Sequence, residues 1–351
     1  MNKEQLELYT DYLISTFGVA TATGLSERVC GAVSHDRVTR FLSEREYTAR
    51  DWWLQVKKTV RAIEQDDAVR ILDDTLQEKP WTDASEVIGW PFDHVQNRTV
   101  KGMNLLNARY PSGGVSIPVD FQVIRKPLQF CDVATRQVKR ASAVTNNQLS
   151  QEMLLRCVHN QRKFRYVRMD SGFAAKANFN LILAERKHFV AVLKDNRLVA
   201  LNEADQQHGR LVRVESLRWA DKQVVRGWLK GVDHEVLLVG RVVTNQDGST
   251  GRLSLVGSDR TCDGERVVDR HQKRWTVEDY HKSLKSNAAL AKSPTRTLRT
   301  QQHHVFRTLY AVFKLECLKM TYKLNHFALR AKRYVKALQQ AFSELLRLKA
   351  A

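Results

Sequence analysis

The stretch from Asp269 to Lys285 sets His271, Arg274, Glu278 and Lys285 at offsets of 3, 7 and 14 residues. At roughly 100° per residue these four fall within an arc of about 60° on one helix face. Lys282 joins the stripe and Trp275 borders it. One carboxylate among fixed cations suits a group that holds a metal ion while its neighbours grip phosphates. A solvated helix face with ordinary charge pairs explains the same pattern. Two upstream aspartates favour the chemical reading. The apolar run from Ala68 to Thr75 closes in Asp73 and Asp74, and Phe164 to Phe173 alternates apolar and basic residues until Asp170. Carboxylates at strand C-termini converge when the strands pair, which is where α/β sites usually sit; capping of turns is the alternative role. Three carboxylates suit a pair of Mg²⁺ ions, each taking one or two of them with phosphate oxygens and water. Such a pair serves phosphoryl transfer, activating the attacking oxygen and stabilising the leaving one.

With these motifs in view, the chain resembles the DDE insertion-sequence transposases that bear the signature Tyr-x2-Arg-x3-Glu-x6-Lys, a bacterial group that moves DNA by cut and paste. The third motif reads His271, Arg274, Glu278, Lys285, followed by Lys292-Ser-Pro-Thr-Arg296. Leu72-Asp73-Asp74-Thr75 and Asp170-Ser171-Gly172-Phe173 match the first and second motifs in type and order, and Asn97 to Leu106 is also similar to family text. The chain departs from the pattern twice. His271 stands at the signature tyrosine, where an imidazole can still donate to phosphate. Gly172 stands where a bulky residue is common, and a glycine is expected to loosen the turn beside Asp170.

The resemblance implies an α/β fold: an RNase-H-like catalytic core with a β-rich insertion, flanked by N- and C-terminal helical regions. It implies Asp73, Asp170 and Glu278 as catalytic ligands of two Mg²⁺ ions, with Mn²⁺ able to substitute; Asp74 is the alternative first acid. His271, Arg274, Lys282 and Lys285 would hold phosphates, and Trp275 would pack in the core or meet a displaced base. Double-stranded DNA is the implied partner, both terminal repeats and target, with a dimer in the synaptic complex and a cytoplasmic, nucleoid-associated setting. A catalytically impaired DNA-binding relic or inhibitor, and a standalone DNA nuclease, are the competing readings.

Charge agrees with a polyanionic partner. Fifty-seven Lys and Arg against 38 Asp and Glu leave a formal charge of +19 over 351 residues, which favours phosphate backbones. No apolar run is long enough to span a bilayer, and the N-terminus lacks the apolar segment of a signal peptide. The five cysteines are scattered and suggest neither disulfides nor a zinc module. The adjacent His303 and His304 have no acidic or thiol company, which argues against metal ligation by them.

The elements that must position these groups divide the chain at expected boundaries. Residues 1–65 read as helical, with Ala22 to Leu42 shaped like a helix-turn-helix: Ser34 caps the second helix, Val38, Phe41 and Leu42 face inward, and Arg37 and Arg40 face out toward DNA. A generic helical bundle gives the same pattern. Residues 66–186 read as the first part of the core, with a hairpin turning at Pro111 to Gly114 and Pro118 near a sheet edge. Residues 187–258 carry strand-like runs and an Asp247-Gly248 hairpin signal, expected as a β-rich insertion. Residues 259–298 hold the core helix of Glu278. Residues 299–351 return to helix, as a pair packed on the core or as a basic DNA-facing surface.

Overall fold

The computed structural model describes residues 3–93, 96–218, 220–244, 247–272 and 275–350, and for 275–277 and 350 the backbone alone. Four helices come first: α1 (Lys3–Ser15), α2 (Ala22–Arg28), α3 (His35–Ser43) and α4 (Ala49–Ile63). Then follow β1 (Val69–Glu78), the short β2 (Phe92–Asp93) and β3 (Arg98–Thr99), β4 (Gly102–Ser112), β5 (Val115–Val123), and a second hairpin of β6 (Leu128–Asp132) and β7 (Gln137–Ala141). Next come α5 (Asn146–His159), β8 (Tyr166–Met169), α6 (Lys176–Ala184) and β9 (His188–Leu193). After these lie β10 (Leu198–Ala200), α7 (Glu203–Gln207), β11 (Val212–Arg213), β12 (Val224–Leu229), β13 (Glu235–Thr244) and β14 (Thr250–Gly257). The last helices are α8 (Gly264–Gln272), α9 (Trp275–Ser286), α10 (Leu298–Tyr322) and α11 (His326–Ala350).

Ten strands form one mixed sheet in the order β11-β10-β12-β13-β14-β9-β8-β1-β4-β5. The segment β5-β4-β1 is antiparallel, while β1, β8 and β9 run parallel. Parallel neighbours need crossovers, and α5 and α6 supply them, an arrangement compatible with an RNase-H-like core. Local chemistry accounts for the strand ends. Gly113 and Gly114 both have positive φ (56° and 80°) between the paired Ser112 and Val115, as a two-residue hairpin turn requires. Pro118 lies on the outermost strand, where its missing N–H costs little. Thr145 and Gln148 form a reciprocal cap at the start of α5.

The core is built on both sheet faces. Leu72, Val167 and Met169 point toward α5 and α6, where Leu154 and Ile182 are buried. On the opposite face Val267 and Val268 of α8 pack on Val190, Leu237, Val239 and Leu255. Trp52 of α4 is fully buried and donates its indole N–H to the Pro118 carbonyl at 3.0 Å, tying the N-terminal helices to the edge strand. Helix α10 passes through the interior with Val305, Phe306, Leu309 and Val312 inaccessible. Burying each such side chain contributes about 1.5–3 kcal/mol.

One expected boundary moves. His188–Leu193, read as the opening of an insertion at residue 187, is the parallel neighbour of β8 and so part of the core. The strands β10 to β14 continue the same sheet from β9 through β14, rather than standing apart from it. The apolar run Phe-Val-Ala-Val-Leu is what a strand covered on both faces looks like, and its sequence does not reveal which neighbours it takes. The hairpin β6–β7 and the helix α6 have no counterpart in the sequence reading.

Candidate active site

Alternation along β1 separates the two adjacent acids onto opposite faces of the sheet. Val69, Ile71 and Tyr166 form a small apolar cluster on one face, and Asp73, two residues beyond Ile71, shares that face. Leu72 joins the main core on the other face. Asp74 follows Leu72 to that side, where its Oδ2 accepts from Asn104 Nδ2 at 2.9 Å. On β8 the same register pairs Val69 with Tyr166 and Ile71 with Arg168. Asp170, one residue past the end of β8, thus comes level with Asp73.

The electrostatics show the two acids as neighbours. The Asp73 carboxyl is pushed up to about 7, first by burial and then by repulsion from Asp170 and Asp74, with Arg168 acting in the opposite sense. Asp170 is fixed by its own turn: Oδ1 accepts from the backbone N–H of Gly172 at 2.9 Å and of Phe173 at 3.3 Å. A Cβ at Gly172 would stand 3.2 Å from that oxygen. The glycine therefore leaves the carboxylate room inside a pinned turn, where a loosened one was expected.

Buried cations surround the pair. Arg168 is 3% exposed, two residues before Asp170 on the same strand face. Arg109, fully buried, is the register partner of Ile71. It donates from both Nε (3.1 Å) and Nη2 (2.6 Å) to Ser116 Oγ, and its Cζ sits 4.4 Å from the Tyr280 ring centroid. Burial lowers its pKa to about 10, against the pull of Tyr280, Glu316 and Asp73. The sequence reading missed Arg109 and Arg168. Their signal was faint: a lone arginine inside an apolar strand, two residues from an aspartate in one case.

Tyr280 and Leu284 of α9 are buried, so this helix lies with one face inward. Glu278 and Lys282 are exposed. Lys285 is half-buried, its pKa lowered by burial while Asp93 and Glu78 favour the charged form. His271 lies in the last turn of α8 and is only 5% exposed, so it does not stand on an open phosphate-facing stripe. Arg274 and the Trp275 side chain lie outside the described residues. Among the described residues no three His, Cys, Asp or Glu side chains gather closely enough to hold a metal. Asp73 and Asp170 are brought together, and Glu278 lies in the first turn of α9.

The N-terminal helices present a second set of cations. Thr21 caps α2 through the N–H of Gly24 at 2.9 Å, and Ser34 caps α3 through the N–H of Arg37 at 3.3 Å. Cys30 and Gly31 take left-handed conformations between them. Val38, Phe41 and Leu42 are buried, and Arg307 of α10 stacks on Phe41 with Cζ 3.9 Å from its centroid. Arg37 and Arg40 are exposed. His303 and His304 are buried in α10, their pKa values lowered to about 3 by desolvation. His304 Nε2 lies 2.9 Å from the Ala289 carbonyl oxygen. They are core residues.

No described helix is long and apolar enough to cross a membrane. A family model described as DDE superfamily endonuclease matches residues 2–225, which includes Asp73, Asp170 and the strands β1 to β11. No curated protein matches the chain.

Proposed function

The chain belongs to the DDE superfamily endonucleases, and from that premise we propose that it is the transposase of an insertion sequence, cutting and joining DNA strands at terminal inverted repeats. The observation that carries the reading is the juxtaposition of Asp73 and Asp170 on parallel strands, with Asp73 held up near 7 by burial and like charge. Two half-buried carboxylates that repel each other are a hard-oxygen donor set, which fits Mg²⁺ or Mn²⁺. Asp73 and Asp170 would hold the metal, and Glu278 would complete the set from the first turn of α9. When bound, divalent metal supplies a more acidic attacking water or 3′-hydroxyl and a stabilised leaving oxygen.

The protein's own part is positioning and charge. Arg168 favours the charged form of Asp73, and Asp73 in turn favours the charged form of the buried Arg109. Lys282 and Lys285, on the same side of α9 as Glu278, would act as point charges for backbone phosphates. Arg274 and Trp275 belong to the same proposed grip. Arg37 and Arg40 would read the terminal repeat from α3. Two copies would meet on paired ends in a synaptic complex.

The test is incubation of the protein with Mg²⁺ and a fragment flanked by the repeats that border its coding sequence. Excision supports the transposase, and cleavage indifferent to the terminal sequence would instead indicate a standalone nuclease. The imidazole of His271, 5% exposed where the signature has a tyrosine, favours a second reading: a DNA-binding relic or inhibitor. End binding without any metal-dependent cleavage would establish that one.

A further inference from the structure

The hairpin β6–β7 stands apart from everything else the chain builds. Its two strands pair only with each other, Leu128 with Ala141 through to Asp132 with Gln137. No residue of either strand is buried. A lone two-stranded hairpin is marginal in water, so an exposed one of this kind gains most from a partner.

Its charge and position indicate which partner. Arg125, Lys126 and Arg140 lie toward its root, Lys139 at its middle and Arg136 in the turn at its tip, against the single acid Asp132. Asp132 pairs with Lys139, and Arg125 pairs with Glu46. Arg136 and Arg140 have no carboxylate partner among the described residues. Arg136 also holds a left-handed φ of 53° in the turn, a place where glycine or asparagine is the easy choice. Register then fixes where the arm leaves the sheet. Val123, the last residue of β5, pairs with Leu105, and Leu105 pairs with Thr75. Strand β5 therefore ends two residues past the level of Asp73 and two strands across, about 10 Å to the side, and residues 124–127 lead from there to the arm. Five residues a side give it a reach of about 17 Å, and the major groove, about 12 Å wide, admits a two-stranded ribbon.

We propose that β6–β7 is a DNA-binding arm that enters the major groove beside the carboxylate pair, with Arg136 and Arg140 on the phosphates that line it. The inference rests on DNA being the substrate of that site. The exposed apolar residues Leu128, Phe130, Val133 and Val138 would lie along the bases.

The experiment compares the full-length protein with its Arg136→Gln/Arg140→Gln and Arg136→Lys/Arg140→Lys variants, on a mixed-sequence duplex across a salt series. The Gln pair should lower the slope of log affinity against log salt by about 2 and weaken binding about tenfold or more, and the Lys pair should restore the slope. The same duplex with glucosylated hydroxymethylcytosine, which fills the major groove, should weaken the wild type and leave the Gln pair unaffected. An unchanged slope and affinity in the Gln pair would overturn the arm while leaving the wild-type DNA binding intact. So would unchanged DNA binding together with altered self-association in sedimentation, which would make the arm a contact between copies. A wild type that binds no duplex overturns both the arm and the function it rests on.

Discussion

Asp73 and Asp170 stand level on neighbouring parallel strands although they are 97 positions apart in the chain. The register that pairs Val69 with Tyr166 and Ile71 with Arg168 has that same offset, and one more step along this face brings Asp73 level with Asp170. Neither acid can be moved by one residue without turning it to the other face of the sheet. The site is therefore an electrostatic liability fixed by strand pairing.

That liability has a measurable sign. Asp73 titrates near 7 in the folded protein, above its ordinary value of 3.8, so the fold binds this proton more tightly than the unfolded chain does. The resulting stability is fully present below about pH 4 and is lost as pH rises through 7. Asp73→Asn should stabilise the fold in metal-free buffer, with a gain larger at pH 8 than at pH 5 by on the order of 2 kcal/mol after allowance for solvent screening. Thermal melts at the two pH values check this, and an equal gap at both would show that Asp73 is ionised without penalty.

Metal-dependent cleavage should separate the four candidate acids. Asp73→Asn, Asp170→Asn and Glu278→Gln should each abolish nicking while end binding stays within about threefold, since no phosphate-binding cation is removed. Asp74→Asn, whose carboxylate faces away and accepts from Asn104, should keep activity within about tenfold. Glu278 is exposed, so its variant should melt within about 0.5 kcal/mol of wild type. Normal nicking by Glu278→Gln would remove α9 from the chemistry.

The N-terminal reading divides into stability and recognition. Ser34→Ala removes the cap of α3 and should cost about 1 kcal/mol. Arg37→Ala with Arg40→Ala should leave Tm unchanged and weaken binding to the terminal repeat more than to random duplex. Equal losses on both DNAs in a gel-shift titration would reduce these arginines to backbone contacts.

His271 offers a contest between packing and chemistry. At 5% exposure, a tyrosine in its place adds volume to a filled site and should destabilise by about 1–3 kcal/mol. If His271 also donates to phosphate, His271→Ala should slow cleavage by roughly 5- to 150-fold, the worth of one hydrogen bond of about 1–3 kcal/mol. Unchanged cleavage together with a lowered Tm would leave it a packing residue.

Much of this architecture could be read before any coordinates. The helix cap at Ser34, the inward Val38, Phe41 and Leu42, the Gly113-Gly114 turn and the edge position of Pro118 all follow from local chemistry, because each depends on residues close in sequence. The pairing of β9 with β8 and β14 depends on long-range contacts, and its apolar run fits any buried strand. Arg109 and Arg168 were passed over because charge inside a strand reads as a solvent face until the opposing layer is known. The inward placement of His271 escaped for the same reason: an angular stripe gives relative directions and does not say which direction is out. The hairpin β6–β7 escaped because mixed apolar and basic residues on both faces leave no clean alternation.

The sheet extension beyond β9 also bears on what the chain could survive losing. If the parallel core ended at β9, a bare row of N–H and C=O groups along Phe189 to Leu193 would border an apolar strand, a template for pairing with other chains. Instead β14 covers that row, from Val190 opposite Gly257 to Leu193 opposite Ser254, and the sheet ends in the two-residue β11. At the other border Pro118 interrupts β5. Trimming away β10 to β14 would thus expose an aggregation-prone edge along β9 and strip the strands on which Val267 and Val268 of α8 pack.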